Sequence, residues 1–167
     1  QVVPMPNAYH PVKRSMTISS QGMVACCHPL AAQVGLGVLK EGGNAVDAAI
    51  AVNAALGLME PMSCGVGGDL FALVWDSKSQ KLYGLNASGR APLSINREVF
   101  LEKGMTQIPQ HGPLSWSVPG CVDGWDQLLS RFGSRSLADL LQPSIAYAES
   151  GHPVPEVIAG YFADSLE

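Results

Sequence analysis

Arg90 is the residue in this sequence whose type and setting best suit it to hold a charged ligand. It stands in a small frame, Ser88-Gly89-Arg90-Ala91-Pro92, where a strand closes. Its planar guanidinium is able to offer a bidentate fork to a substrate carboxylate. A solvent-exposed or structurally ion-paired arginine would have the same local sequence. Other combinations carry less. Gly65-Val66-Gly67-Gly68 suggests a phosphate loop, but Leu70 stands where G-x-G-x-x-G needs its last glycine, a strand follows in place of a helix, and a P-loop lysine is missing. Cys64, His28 and Asp69 supply the residue types of a nucleophilic triad, yet no G-x-S-x-G elbow occurs and nothing in the spacing joins them. Cys26, Cys27, Cys64 and Cys121 fit no zinc spacing and read as small hydrophobes filling apolar space. No metal or organic cofactor is implied.

The elements that must position Arg90 are organised around residues 42–56. Gly42-Gly43 ends one helix and Asn44 opens the next, its side chain accepting one of the first free N–H groups. Asp47, three residues on, matches the reciprocal partner of a capping box and suits the positive helix end. Val46, Ala49, Ile50, Asn53 and Leu56 fall at helical spacing, and the opposite face is also small and apolar. Such a helix is buried, so it should be the central packing element. Before it, His28-Pro29 opens a helix that runs to Lys40, preceded by a short strand at 22–27. After it, strands at 70–75 and 81–86 flank a hairpin loop at 76–80. A short helix follows at 96–103, a strand at 115–118, helices at 121–132 and 137–150 with Gly133 and Gly151 as C′ residues, and a last short helix. Residues 1–21, with three prolines before position 12, read as an extended arm, and residues 22–167 as one incomplete domain. The fold class is α+β, an antiparallel sheet with helices packed on it.

Hydrophobic content of 47% against 14% charged residues excludes disorder. So low a charged fraction also implies that part of the surface is covered by another polypeptide or by a continuation of the chain. A net charge of −4 without a basic run argues against nucleic acid as a partner. No apolar run reaches the roughly 18–20 residues needed to span a bilayer, so no transmembrane segment is expected. The chain opens on Gln1 and not Met, which fits a removed leader or a trimmed sequence. The compartment stays open between periplasmic or secreted and cytoplasmic.

Taken together, the blocks resemble one family. Gly22-Met23-Val24-Ala25, Lys40 to Ala49, Gly65 to Phe71 and Arg90-Ala91-Pro92 are similar to the γ-glutamyltransferase family, as are Val118-Pro119-Gly120, Gln142 to Ile145 and Ala148 to Gly151. The resemblance implies an N-terminal-nucleophile hydrolase fold, an αββα sandwich of which this chain supplies part. It implies a precursor that cuts itself into large and small subunits, with the new N-terminal threonine of the small subunit as nucleophile and its own amine as base. The partners it implies are that small subunit and a small-molecule amide bearing a carboxylate. Nucleophile and oxyanion hole would lie outside this chain, which alone should be inactive. Arg90 and Ser88 are the substrate-binding residues it implies.

One departure bears on substrate. Glutathione-using members place the carboxylate-gripping arginine two positions earlier, in an Arg-Glu-x-Ala-Pro pattern, where this chain has Ser88. Two residues along a strand keep the same face, about 6.6–6.8 Å away, so Arg90 is expected to reach the same site with altered geometry. The Ser-Gly-Arg-Ala-Pro form resembles the branch holding glutathione-hydrolase-like, cephalosporin-acylase-like and oxamate-amidohydrolase-like enzymes. The rival from another class is a non-catalytic scaffold or interaction protein built on part of the fold.

Overall fold

In the computed structural model, which describes residues 16–166, the central element is the helix the sequence singled out. This helix, α2, spans Ala45–Met59. Ala48, Ala51 and Ala55 are at most 3% exposed, and their lack of bulk lets three helices close on α2. Helix α1 (Pro29–Lys40) forms a tight antiparallel hairpin with it, turned by Gly42 at φ +89°. Helices α4 (Cys121–Phe132) and α5 (Leu137–Ser150) pack on other sides. Between α2 and α4 lie the strands β1 (Leu70–Asp76) and β2 (Lys81–Ala87) and the short helix α3 (Arg97–Glu102). Helix α6 (Glu156–Asp164) ends the described chain.

The entrance to α2 is a polar knot. The Asn44 side chain accepts from the Val46 and Asp47 N–H groups at 2.9 and 3.0 Å, and Asp47 Oδ2 accepts from the Asn44 N–H at 2.8 Å, closing the capping box. The same two residues reach across to the turn between α4 and α5. Asn44 Nδ2 donates to the Phe132 carbonyl at 2.7 Å, and Asp47 Oδ1 accepts from the Ser134 N–H at 2.9 Å and the Arg135 N–H at 3.3 Å. The Ser134 hydroxyl also donates to Asp47 Oδ2. Asp47 is fully buried, and its charge is held by these donors and the helix N-terminus instead of by a cation. The Arg135 guanidinium pairs with Glu41 at 3.0 Å.

The two strands form an antiparallel hairpin running from Leu70↔Ala87 to Asp76↔Lys81. Its alternation is clear. Leu70, Ala72, Val74, Tyr83 and Leu85 turn inward, while Phe71, Leu73, Trp75 and Leu82 are each more than half exposed. The inner face meets α4, where a Cβ on Gly124 would lie 2.9 Å from both Ala87 Cβ and Leu70 Cδ2. The Arg131 guanidinium sits 4.2 Å above the Tyr83 ring.

Four expectations need correction. Residues 22–27 are not a strand: they run extended with the alternating burial of one, but no other described segment supplies their backbone partners. A strand requires a neighbour, which local pattern cannot provide. Residues 115–118 are likewise not a strand. A 3₁₀ turn at Pro113–Ser115 precedes them, and the single bond from the Val118 N–H to the Arg90 carbonyl makes no ladder. Gly133 keeps φ −70° instead of the left-handed C′ conformation. A Cβ there would lie 2.7 Å from Leu129 Cδ2, so close approach is what requires glycine. Finally, Cys27 is exposed and donates to Glu60 Oε2 at 3.1 Å, so it fills no apolar space. All four cysteines are free thiols. Of the arm expected at 1–21, residues 16–21 are exposed and irregular; the remainder lies outside the described residues.

Burial alone would raise the Asp47 pKa, but the Ser134 hydroxyl and the N–H groups of Asn44, Ser134 and Arg135 outweigh it and hold the carboxyl below its ordinary value. A depressed carboxylate stabilises the fold above its unfolded pKa of about 3.9, and that contribution is lost as pH falls through the folded value. Asp47→Asn turns an acceptor into a donor facing donors. It should cost about 2–4 kcal/mol in urea unfolding at pH 7, with the gap to wild type narrowing below about pH 4. A pH-independent gap would contradict this assignment.

Candidate substrate cleft

The site lies where the hairpin ends. Beyond Ala87 the chain leaves β2 and runs against the segment 117–120 that leads into α4. Main-chain bonds tie this segment both to the hairpin exit and to the Gly65–Gly68 loop ahead of β1. The Val118 N–H donates to the Arg90 carbonyl at 2.8 Å, and the Gly120 and Cys121 N–H groups both donate to the Gly68 carbonyl, at 3.2 and 3.1 Å. The Ser117 hydroxyl lies 3.2 Å from both Asp69 Oδ1 and the Ser88 carbonyl oxygen. The Gly65–Gly68 loop thus supplies an anchor for α4 through its last carbonyl, not a phosphate cradle.

The approach is close enough to dictate residue type. Gly89 has φ +78°, and a Cβ on it would fall 1.7 Å from the Val118 carbonyl oxygen. A Cβ on Gly120 would fall 2.2 Å from the Ala87 carbonyl oxygen. Only glycines permit this crossing of backbones. One expectation therefore falls: Ser88 and Arg90 lie past the end of β2, and the left-handed residue between them removes the strand alternation that would put them on one face.

They nevertheless share a cleft. A hollow of about 730 Å³ is lined by residues 86–93, by Val118, Pro119 and Gly120, and by Asp123 of α4. Ser88 is half-buried, its N–H donating to Asn86 Oδ1 at 3.0 Å. Arg90 is exposed, and among the described residues its guanidinium makes no hydrogen bond or ion pair. The ion-paired reading of Arg90 finds no partner among the described residues, and its exposure fits a solvent-facing arginine as well as a ligand-binding one. Asp123 carried no signal in the sequence, because a carboxylate in the first turn of a helix is ordinary dipole complementation.

The triad residues do not assemble. His28 is buried at the start of α1, its Nδ1 accepting from the Leu30 N–H at 3.2 Å, while Cys64 and Asp69 line a separate hollow with Asn53 and Cys121. Burial raises the thiol pKa of both Cys64 and Cys121, aided by the Glu60 carboxylate for the first and by Cys64 for the second. Such thiols stay protonated at neutral pH and are poor nucleophiles. Among the described residues no three His, Cys, Asp or Glu side chains gather to hold a metal.

Residues 31–167 match the sequence model of the gamma-glutamyltranspeptidase family. The chain belongs to that family. It is 37% identical over 166 residues to a glutathione hydrolase proenzyme of Bacillus subtilis, covering 97% of this chain and 28% of the relative. It is 34% identical over 172 residues to the acylase ACY 1 proenzyme of a Pseudomonas strain, covering 98% and 31%. Among solved structures, the cephalosporin acylase of Bacillus halodurans superposes with a TM-score of 0.85 at 47% identity over 96% of this chain and 30% of that one. The gamma-glutamyltranspeptidase of Helicobacter pylori superposes with a TM-score of 0.83 at 31% identity, covering 90% and 44%. The chain thus spans less than half the length of each of these proteins. Its α+β fold is part of an N-terminal-nucleophile hydrolase sandwich.

Gly89→Ala should disrupt the crossing that shapes the cleft. Strain and overlap together should cost about 2–4 kcal/mol, measured by chemical denaturation. Stability within 0.5 kcal/mol of wild type, roughly the spread of neutral surface changes, would show that the backbones do not need this contact.

Proposed function

We propose that this chain is the front part of the large subunit of a processed amide hydrolase or acyltransferase, and that its cleft binds a carboxylate on the acyl group. Arg90 grips that carboxylate and Ser88 stands beside it. The nucleophile is the N-terminal threonine of a small subunit outside this chain, its own amine serving as base. The acyl group passes from the threonine to water or to an amine, γ-glutamyl amides of the glutathione type being the first substrates to test. The observation that carries this reading is Arg90 itself: a guanidinium with no partner among the described residues, set on a cleft wall by backbone contacts that only glycines allow. Family membership and the relatives' being proenzymes support the two-subunit arrangement.

The outer face of the hairpin supports a covering partner. Phe71, Leu73, Trp75 and Leu82 present a contiguous apolar surface, of the kind proteins bury against another sheet. The extended segment 22–27, without a backbone partner among the described residues, is a further edge open to pairing. No described helix is long and apolar enough to cross a membrane.

A second reading within the same chemistry, a cephalosporin-acylase-like or small-amide amidohydrolase, is favoured by the 47% identity to the Bacillus halodurans acylase. Both readings use Arg90 on a carboxylate. In the processed enzyme, Arg90→Ala should raise KM for a carboxylate-bearing amide roughly 100-fold, the equivalent of about 3 kcal/mol in lost charge-assisted hydrogen bonds. Self-cleavage into two subunits should be unaffected. Steady-state kinetics with γ-glutamyl p-nitroanilide reads this, and an unchanged KM would remove Arg90 from the site.

A further inference from the structure

The antiparallel ladder stops at Leu70↔Ala87. Asp69 and Ser88, the residues just outside it, mark the open end of the hairpin, where the sheet no longer holds its two strands together. A side chain from a third segment does so. The Ser117 hydroxyl lies 3.2 Å from Asp69 Oδ1 and 3.2 Å from the Ser88 carbonyl oxygen. It has one hydrogen to share between a carboxylate and a carbonyl, and it bridges the two strand exits. The next residue continues the brace, the Val118 N–H donating to the Arg90 carbonyl at 2.8 Å. Residues 117 and 118 thus grip residues 88 and 90, one on each side of Gly89.

Gly89 is where that grip matters. It sits at φ +78°, a conformation whose only occupant without strain is glycine, the residue with the freest backbone. Gripped on one side alone, the chain beyond it is free to swing. Gripped on both sides, Arg90 leaves the hairpin in one direction. The bracing segment is itself anchored, because the Gly120 and Cys121 N–H groups donate to the carbonyl of Gly68, next to Asp69. Ser117 is half-buried and is not among the residues lining the hollow of Arg90. Any effect it has on that hollow therefore passes through the backbone of residues 88–90.

We infer that Ser117 is a positioning residue for the cleft: its hydroxyl clasps the open end of the hairpin and so sets the direction from which Arg90 meets a substrate carboxylate. The inference rests on the reading of Arg90 as the carboxylate grip. A bidentate guanidinium bond depends on direction as well as distance, so a pivot released at Gly89 weakens it without removing the charge.

The test is a double-mutant cycle in the processed two-subunit enzyme, with γ-glutamyl p-nitroanilide as donor. Ser117→Ala should raise KM about tenfold, the equivalent of one misdirected charge-assisted hydrogen bond, and leave kcat nearly unchanged. Ser117→Thr keeps the hydroxyl and should keep KM near the wild-type value. In an Arg90→Ala background, Ser117→Ala should cost less than about twofold more in kcat/KM, since residues acting through one contact are not additive. The full loss persisting in that background would show a general structural defect and overturn the inference. So would an unaltered KM in Ser117→Ala, or a Ser117→Thr enzyme no better than the alanine variant. Arg90→Ala with kcat/KM intact would instead strike the carboxylate reading, and this inference with it.

Discussion

A carboxylate buried without a cation is the constraint around which this structure is arranged. Asp47 is wholly enclosed, and a bare charge there would be intolerable. It is admitted because four donors converge on it: the Asn44 N–H from its own helix entrance, and two N–H groups and a hydroxyl from the turn at Ser134 and Arg135. Each donor is itself fixed by the chain geometry that follows it. Asn44 must cap α2, and the α4–α5 turn must lie within hydrogen-bond distance across 87–88 residues of sequence. The knot therefore specifies a tertiary arrangement as well as a helix boundary.

From this point the positioning of the cleft can be followed outward. With the α4–α5 turn tied to the head of α2, α4 lies along α2, and Trp125 Nε1 donates to Asn53 Oδ1 at 2.9 Å midway. The start of α4 is then held by the Gly68 carbonyl and presses against the exit of the hairpin. The cleft forms at that contact. Among the described residues the charged side chains on its walls have no protein partners, the anchoring being done by main-chain groups. A site whose framework uses backbone bonds can leave its side chains uncommitted.

How much of this was readable in the sequence depends on how local each determinant is. The capping box, the Gly42 turn and the buried α2 were readable because each is fixed within a few residues. So was the hairpin, whose loop carries Asp76 accepting from the Lys78 N–H at 3.1 Å. Helix α5 was readable through Pro143 because spacing outweighed a single breaker. The segments 22–27 and 115–118 were misread as strands for the opposite reason. Their apolar runs are strand-like, but pairing is a property of two segments, and the described chain supplies no second one. The small, flexible frame of Arg90 is local and legible, whereas its strand-like relation to Ser88 fails because Gly89 leaves the strand conformation. Asp123 and the wall at 118–120 carried no signal, since they line the hollow only once α4 is set against the hairpin.

The apolar outer face, the segment 22–27 without a backbone partner among the described residues, and the low charged fraction support the proposal that another polypeptide completes this chain. Denaturing intact mass of the purified full-length gene product tests that most directly. Two polypeptides in equal amount, the lighter beginning with threonine, are expected. A single uncleaved polypeptide after prolonged incubation would contradict the processed enzyme and leave a scaffold bearing the family's fold without its nucleophile.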